Sequence, residues 1–176
     1  MTCMPDEPIY QAARFNVVRT KYRAEDGREI SREVIRHPGA VVILPMLDDG
    51  RVCLIRNFRP AVNAWLIEIP AGTLEPPIPV LDMAHRELKE ETGYRAAKME
   101  LLAQFYVSPG ILDEKMHLYV ATGLTAGEPE REEQELIENL IVPFEEALAM
   151  VDRGEIVDAK TIVGLMLWKG RLGNGD

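Results

Sequence analysis

Gly72-Thr-Leu-Glu-Pro-Pro-Ile-Pro-Val-Leu-Asp-Met-Ala-His-Arg86-Glu87-Leu88-Lys-Glu90-Glu91-Thr-Gly93-Tyr94 is the stretch that decides how this chain is read. It places one arginine and three carboxylates on little more than a single helical turn. Gly93 then stands where a left-handed residue commonly ends a helix. Glu87 and Glu91 are four apart, so their carboxylates project from one face. Two like charges at that spacing disfavour an isolated helix by about 0.2–0.5 kcal/mol. A divalent cation held between them reverses the sign, because hard oxygen ligands are what Mg²⁺ selects. Arg86 and Glu90 repeat the spacing one residue earlier and can pair, keeping the acidic face in register.

Composition bounds what such a face could serve. With 176 residues and 47% apolar content the chain has the length of one domain and enough material for a core. Its formal charge of −9 argues against a nucleic-acid partner, since no basic patch offers phosphate contacts. No apolar run is long enough to span a membrane, and no charged-then-apolar leader opens the sequence. Cys3 and Cys53 read as free thiols in a reducing compartment, which predicts a cytoplasmic location.

Outward from the acidic helix, strand and turn signals alternate. Residues 13–24 and 28–36 read as strands around the turn Glu25-Asp26-Gly27. Pro38-Gly39 breaks the chain before 40–47, a β-branched run expected to be buried on both faces. Asp48-Asp49-Gly50 is a hairpin turn into a return strand over 51–58. A short strand at 65–69 leads to Pro70-Ala71-Gly72. Beyond the helix, 99–107 and 115–122 form another strand pair, 125–135 an acidic loop, and 136–142 a further strand. Residues 143–153 have helical periodicity with Pro at the start and Gly154 after the end. Asp158 is the predicted N-cap of a last helix running through Trp168. The expected class is α+β, an α/β/α sandwich with a mixed central sheet and an N-terminal antiparallel strand pair. The expected division is 1–39 for the N-terminal strands and 40–176 for the main domain.

The spacing from Gly72 through Arg86 to Gly93 matches the Nudix box, G-x5-E-x7-R-E-U-x-E-E-x-G-U, with Leu88 and Tyr94 at the bulky apolar positions. The chain resembles a Nudix hydrolase, a family that cleaves a nucleoside diphosphate linked to another moiety with the help of Mg²⁺. Two more segments resemble the ADP-ribose pyrophosphatase branch: Ser108-Pro109-Gly110-Ile-Leu-Asp113-Glu114 and Arg56-Asn-Phe-Arg59-Pro60. The tail from Pro143 to Thr161 is similar to that branch and to the related GDP-mannose hydrolases. Together the resemblance covers roughly residues 13–170. It implies hydrolysis of the diphosphate linkage in ADP-ribose, giving AMP and ribose 5-phosphate. The alternatives are another nucleoside diphosphate sugar such as GDP-mannose, or a non-catalytic ADP-ribose-binding module.

The resemblance also implies roles. Glu87 and Glu91 are the principal metal ligands for Mg²⁺, with Mn²⁺ as a substitute, alongside the Ala71 carbonyl and a supplementary Glu90. Arg86 orients them. Arg59, with Arg56 as a second candidate, contacts phosphate through the planar fork of a guanidinium. Glu68, Ser108 and Gly110 are further substrate contacts, although Glu68 could instead pair with an arginine. The general base is expected from the acidic loop, as Glu135 or Glu133. His85 and His117 read as structural. The branch is homodimeric through exchanged N-terminal segments, where Phe15, Tyr22 and Arg32 have suitable chemistry for the purine. The implied partners are a small nucleotide sugar and a second copy of the chain. One position departs from the box: Ile78 stands where a glutamate would orient the arginine. Asp82, four before Arg86, or Glu75 could replace it.

Overall fold

The burial expected of the run at 40–47 is realised from Ala40 to Met46, with Leu47 only partly buried, in the computed structural model, which describes residues 2–131 and 136–173. In chain order its elements are β1 (Thr2–Cys3), β2 (Glu7–Gln11), β3 (Asn16–Arg23), β4 (Glu29–Arg36), β5 (Ala40–Pro45), β6 (Arg51–Arg59), β7 (Ala64–Glu68) and β8 (Ala71–Thr73). There follow α1 (Val80–Thr92), β9 (Arg95–Tyr106), β10 (Lys115–Thr125), β11 (Ile137–Pro143), α2 (Phe144–Asp152) and α3 (Ala159–Gly173).

Every residue of β5 is buried, and successive side chains of a strand face opposite ways. Val41 and Ile43 join Tyr119 and Ala121 of β10 in packing against Met83, Ala84 and Leu88 of α1. Val42 and Leu44 join Leu118 and Val120 in a second core with Phe144 and Leu148 of α2 and Leu165 of α3. Each such fully buried aliphatic contributes about 1.5–3 kcal/mol relative to an exposed one. Helices on both faces of one sheet make the expected α/β/α sandwich. That sheet runs β8-β5-β10-β9. It is mixed: β10 lies parallel to β5, with Met116 opposite Ala40, and antiparallel to β9. A second sheet, β11-β6-β7, carries the return strand of the Asp48–Gly50 hairpin.

The N-terminal pair is present as β3 and β4, in register from Asn16 opposite Arg36 to Arg23 opposite Glu29. It is larger than the sequence predicts. Both β1 and β2 add to the other edge of β3, so this sheet has four strands. β2 is exposed along its whole length and contains Pro8. It gains its backbone partners from β3 and has no apolar pattern of its own.

The helix ends follow their signals. α1 begins after Pro79 and stops at Gly93, whose φ of 82° is left-handed and whose N–H donates to the Lys89 carbonyl at 2.8 Å. Asp158 caps α3 as predicted, its Oδ2 accepting from the Thr161 N–H at 3.0 Å. No described helix is long and apolar enough to cross a membrane. Cys3 and Cys53 are free, and burial pushes the Cys53 thiol up to about 12.

Candidate active site

A cleft of about 840 Å³ opens where α1 and β8 meet the tips of the N-terminal strands. Ala71, Gly72, Arg86, Glu87, Glu90 and Glu91 all line it, so the box residues are gathered on one surface. Two details fix the junction. Glu91 is 4% exposed, and its Oε2 accepts from the Ala71 N–H at 3.0 Å, tying the helix to the strand. At Gly72 a Cβ would fall within the carboxylate of Glu87. The glycine is required by that close approach of a side chain, which any larger residue would displace.

Arg86 sits among the acids. Its guanidinium lies 3.8 Å from Glu87 and 3.7 Å from Glu90. Its strongest partner is Glu75, at 2.6 Å. Of the two candidate replacements for the missing box glutamate, the structure therefore selects Glu75. The turn Glu75–Ile78, closed by the Ile78 N–H on the Glu75 carbonyl at 3.0 Å, brings that carboxylate back onto α1. Asp82 is an exposed residue of the first helical turn. The Glu75 hydrogen bond, followed by the charges of Glu90 and Glu87, holds the Arg86 guanidinium above its ordinary pKa.

The donor set fits a hard divalent cation. It consists of carboxylates and a backbone carbonyl, with no thiolate among them, which favours Mg²⁺ or Mn²⁺ over softer metals. Among the described residues no three acidic, His or Cys groups are closed into a cage. Mg²⁺ does not need one, since it keeps several waters and takes one or two carboxylates plus substrate phosphates. Glu87 and Glu91, on one helix face of the cleft, offer such a pair.

Behind the cleft lies a buried ionic network. Arg59 grips Glu68 with two nitrogens, at 2.8 and 2.5 Å. Lys160 reaches the same carboxylate at 2.6 Å and Asp158 at 3.0 Å. Thr161 completes the chain: its hydroxyl donates to Asp158 at 2.6 Å and accepts from the Ile69 N–H at 2.8 Å. The start of α3 is thereby fastened to the segment that delivers Ala71. Glu68 is 1% exposed and its carboxylate is engaged by Arg59, the arginine pairing that was one of its two expected roles. Arg59 keeps 40% of its side chain exposed and lines the cleft, as does Lys160.

This network carries a pH dependence. Burial alone would push the Glu68 carboxyl up, but the Arg59 hydrogen bond and the Lys160 charge outweigh it and hold the group below its ordinary 4.5. A carboxyl depressed on folding adds stability that is fully present above its unfolded pKa and lost as pH falls through the folded one. Thermal unfolding followed by circular dichroism is therefore expected to show a falling midpoint below about pH 4.5. In Glu68→Gln that acid limb should flatten. An acid limb of unchanged slope would remove Glu68 from this role.

Other expectations fare differently. Arg56 lies outside the lining of the cleft, pairs with Glu138 at 3.4 Å and lies over the Trp65 ring. On a strand, residues three apart face opposite ways, so Arg56 and Arg59 could not both face the cleft. Asn57, buried and sharing the Arg59 face, lines it instead. Ser108 and Gly110 are exposed and lie outside the lining; their loop contributes Glu114. That loop docks on β4, where Asp113 accepts from Arg36 at 3.1 Å and from the His37 N–H at 2.8 Å. His37, which sequence reasoning passed over, lines the cleft with its Nδ1 3.4 Å from Glu114. His85 and His117 are away from it, the latter paired with Gln104. Phe15 borders the cleft, whereas Tyr22 and Arg32 sit farther along the N-terminal sheet. Glu133 and Glu135 lie outside the described residues.

The family model described as "NUDIX domain" matches residues 36–163. The chain is 41% identical over 157 residues to an ADP-ribose pyrophosphatase of Bacillus subtilis (strain 168), covering 88% of this chain and 85% of that one. It is 38% identical over 148 residues to a GDP-mannose pyrophosphatase of Cronobacter sakazakii, covering 74% and 77%. Among solved structures, one titled "Crystal structure of ADP compounds hydrolase" superposes with a TM-score of 0.84 over 99% of this chain and 95% of its own. At 24% identity that likeness speaks for the fold alone.

Proposed function

The chain belongs to the Nudix family, and from that premise we propose that it hydrolyses the diphosphate linkage of ADP-ribose to AMP and ribose 5-phosphate. It is a Nudix pyrophosphohydrolase. The observation that carries the reading is the meeting of Glu87, Glu91 and Ala71 in one cleft with the exposed half of Arg59. The family's divalent cation, assigned here as Mg²⁺ with Mn²⁺ able to replace it, supplies charge stabilisation at the phosphoryl and leaving oxygens when bound.

The residues of the chain do the rest. Glu87 and Glu91 are the principal ligands, with the Ala71 carbonyl and Glu90 in support. Arg86, fixed by Glu75, keeps Glu87 and Glu90 from drifting apart. Arg59 is the phosphate contact, and Glu68 and Lys160 hold its guanidinium against the cleft wall. An Arg anchored this way has less rotamer freedom to lose on gripping a phosphate. The general base is assigned to Glu135, with Glu133 as the alternative. It takes a proton from the attacking water while the bond between one phosphorus and the bridging oxygen breaks. The substrate is a small nucleotide sugar. Exposed Ile9 and Tyr10 on β2, with Phe15 in the connection to β3, support a homodimer built through residues 1–39.

The test is an assay of purified protein with Mg²⁺ against ADP-ribose, GDP-mannose and a dinucleoside polyphosphate. ADP-ribose is expected to give the highest kcat/KM, with AMP and ribose 5-phosphate as products. A preference for GDP-mannose would favour the second reading, which the Cronobacter relative supports. Tight ADP-ribose binding with no AMP released would make the chain a binding module.

A further inference from the structure

The last carbonyls of a helix have no intrahelical donors. In α1, Gly93 serves the Lys89 carbonyl. The three carbonyls that follow are served by a remote part of the chain. The Glu130 N–H donates to the Glu90 carbonyl at 2.9 Å. Arg131 Nε donates to the Glu91 carbonyl at 2.9 Å, and Asn139 Nδ2 donates to the Thr92 carbonyl at 2.8 Å. Arg131 and Asn139 are also joined to each other, at 2.7 Å. Lys89 pairs with Glu130 at 2.5 Å, reinforcing the same contact. Gly93 and Gly127 allow the segments to meet, since a Cβ on Gly93 would run into the Gly127 carbonyl. Cations at this end of a helix are additionally favoured by its dipole.

An ordinary cap would account for some of this. Two features go beyond it. The carbonyls served belong to Glu90 and Glu91, whose side chains line the cleft. Arg131 is also a single planar group spanning two elements, from the end of α1 to Asn139 on β11. We propose that Arg131 and Asn139 form a clasp that positions the Glu90 and Glu91 carboxylates for the cation, without touching substrate. The proposal rests on the cleft being a divalent-cation site. Helix termini open locally more readily than helix centres. A terminal turn that frays carries residues 90 and 91 with it, and small misplacements at a reacting centre are costly. Lysine at position 131 keeps the charge but lacks the planar guanidinium fork that holds the two acceptors in a fixed geometry.

The experiment uses the full chain, with Arg131→Met, Arg131→Lys, Asn139→Val and the double variant. Mg²⁺ binding without substrate is measured by calorimetry, hydrogen exchange at the Gly93 and Tyr94 amides by NMR, and kcat and KM on ADP-ribose at saturating metal. Arg131→Met is expected to weaken Mg²⁺ binding about tenfold, in the range typical of a group that supports a ligand. Gly93 exchange should accelerate, and KM should stay within about twofold. Arg131→Lys should recover part of the loss, and the double variant should be little worse than Arg131→Met alone. Should Arg131→Met fail to fold, Asn139→Val at its exposed position carries the test, with an expected weakening of about threefold. Wild-type metal affinity in the folded variants overturns the clasp, even if their melting points fall. A raised KM with unchanged metal affinity overturns it too, by placing Arg131 against the substrate. A wild-type protein that binds no Mg²⁺ and releases no AMP would instead remove the cation site itself, whatever the variants do.

Discussion

Glu91→Gln is expected to lower kcat on ADP-ribose by about 1,000-fold while leaving the fold intact. Groups that merely support a metal ligand cost about 10–100-fold when removed, so a principal ligand should cost more. The substitution isolates charge from architecture. Glu91 Oε2 accepts from the Ala71 N–H at 3.0 Å, and the amide oxygen of glutamine can accept the same bond. The joint between α1 and β8 survives, and the negative charge is lost. Steady-state kinetics with a metal titration, alongside a thermal melt, checks this. A loss below about tenfold with a normal melt would take Glu91 out of the metal set. Were the chain a binding module, the variant would keep its ADP-ribose affinity.

Gly72→Ala should be the second severe lesion, with a loss of activity of about 100-fold or more and little change in stability. An added Cβ at this position coincides with the Glu87 carboxylate. The obstructing atoms are the far end of a flexible side chain, so the backbone need not move and the melting point should hold. What must move is the Glu87 carboxylate, the proposed metal ligand. Gly93 offers the contrast. There φ is 82° and the obstruction is the backbone carbonyl of Gly127, so alanine should cost stability first. Kinetics and melts on both variants separate the cases. A fully active Gly72→Ala would show that Glu87 does not act from its present position.

The layout of the sandwich was legible because its elements carry local signals. The β-branched run at 40–45, the Asp48–Gly50 turn, Gly93 and the Asp158 cap each state their role within a few residues. β8 and β2 do not. Ala-Gly-Thr has weak strand propensity and extends only because β5 offers an edge. β2 buries nothing and pairs for its backbone alone. Within the site, the box helix was readable from spacing, and so was the arginine problem created by Ile78. The choice of Glu75 over Asp82 depended on the path of a turn. Lys160 carries no local signal of its role, and only the long-range approach of Glu68 gives it a buried partner. His37 and Glu114 come together through the docking of one loop on a distant strand. The opposite facing of Arg56 and Arg59, by contrast, was available from strand alternation alone.

The parallel pairing of β5 with β10 has a consequence for biosynthesis. A nascent chain emerges at about 5–20 residues per second, so the strand that fills the middle of the sheet waits several seconds for its neighbour. It waits longer for α3, whose Leu165 helps close the lower core and whose Asp158–Thr161 end moors the segment holding Ala71. On the ribosome the acidic helix can form early, but the assembled cleft has to await emergence of residues 158–165 from the exit tunnel.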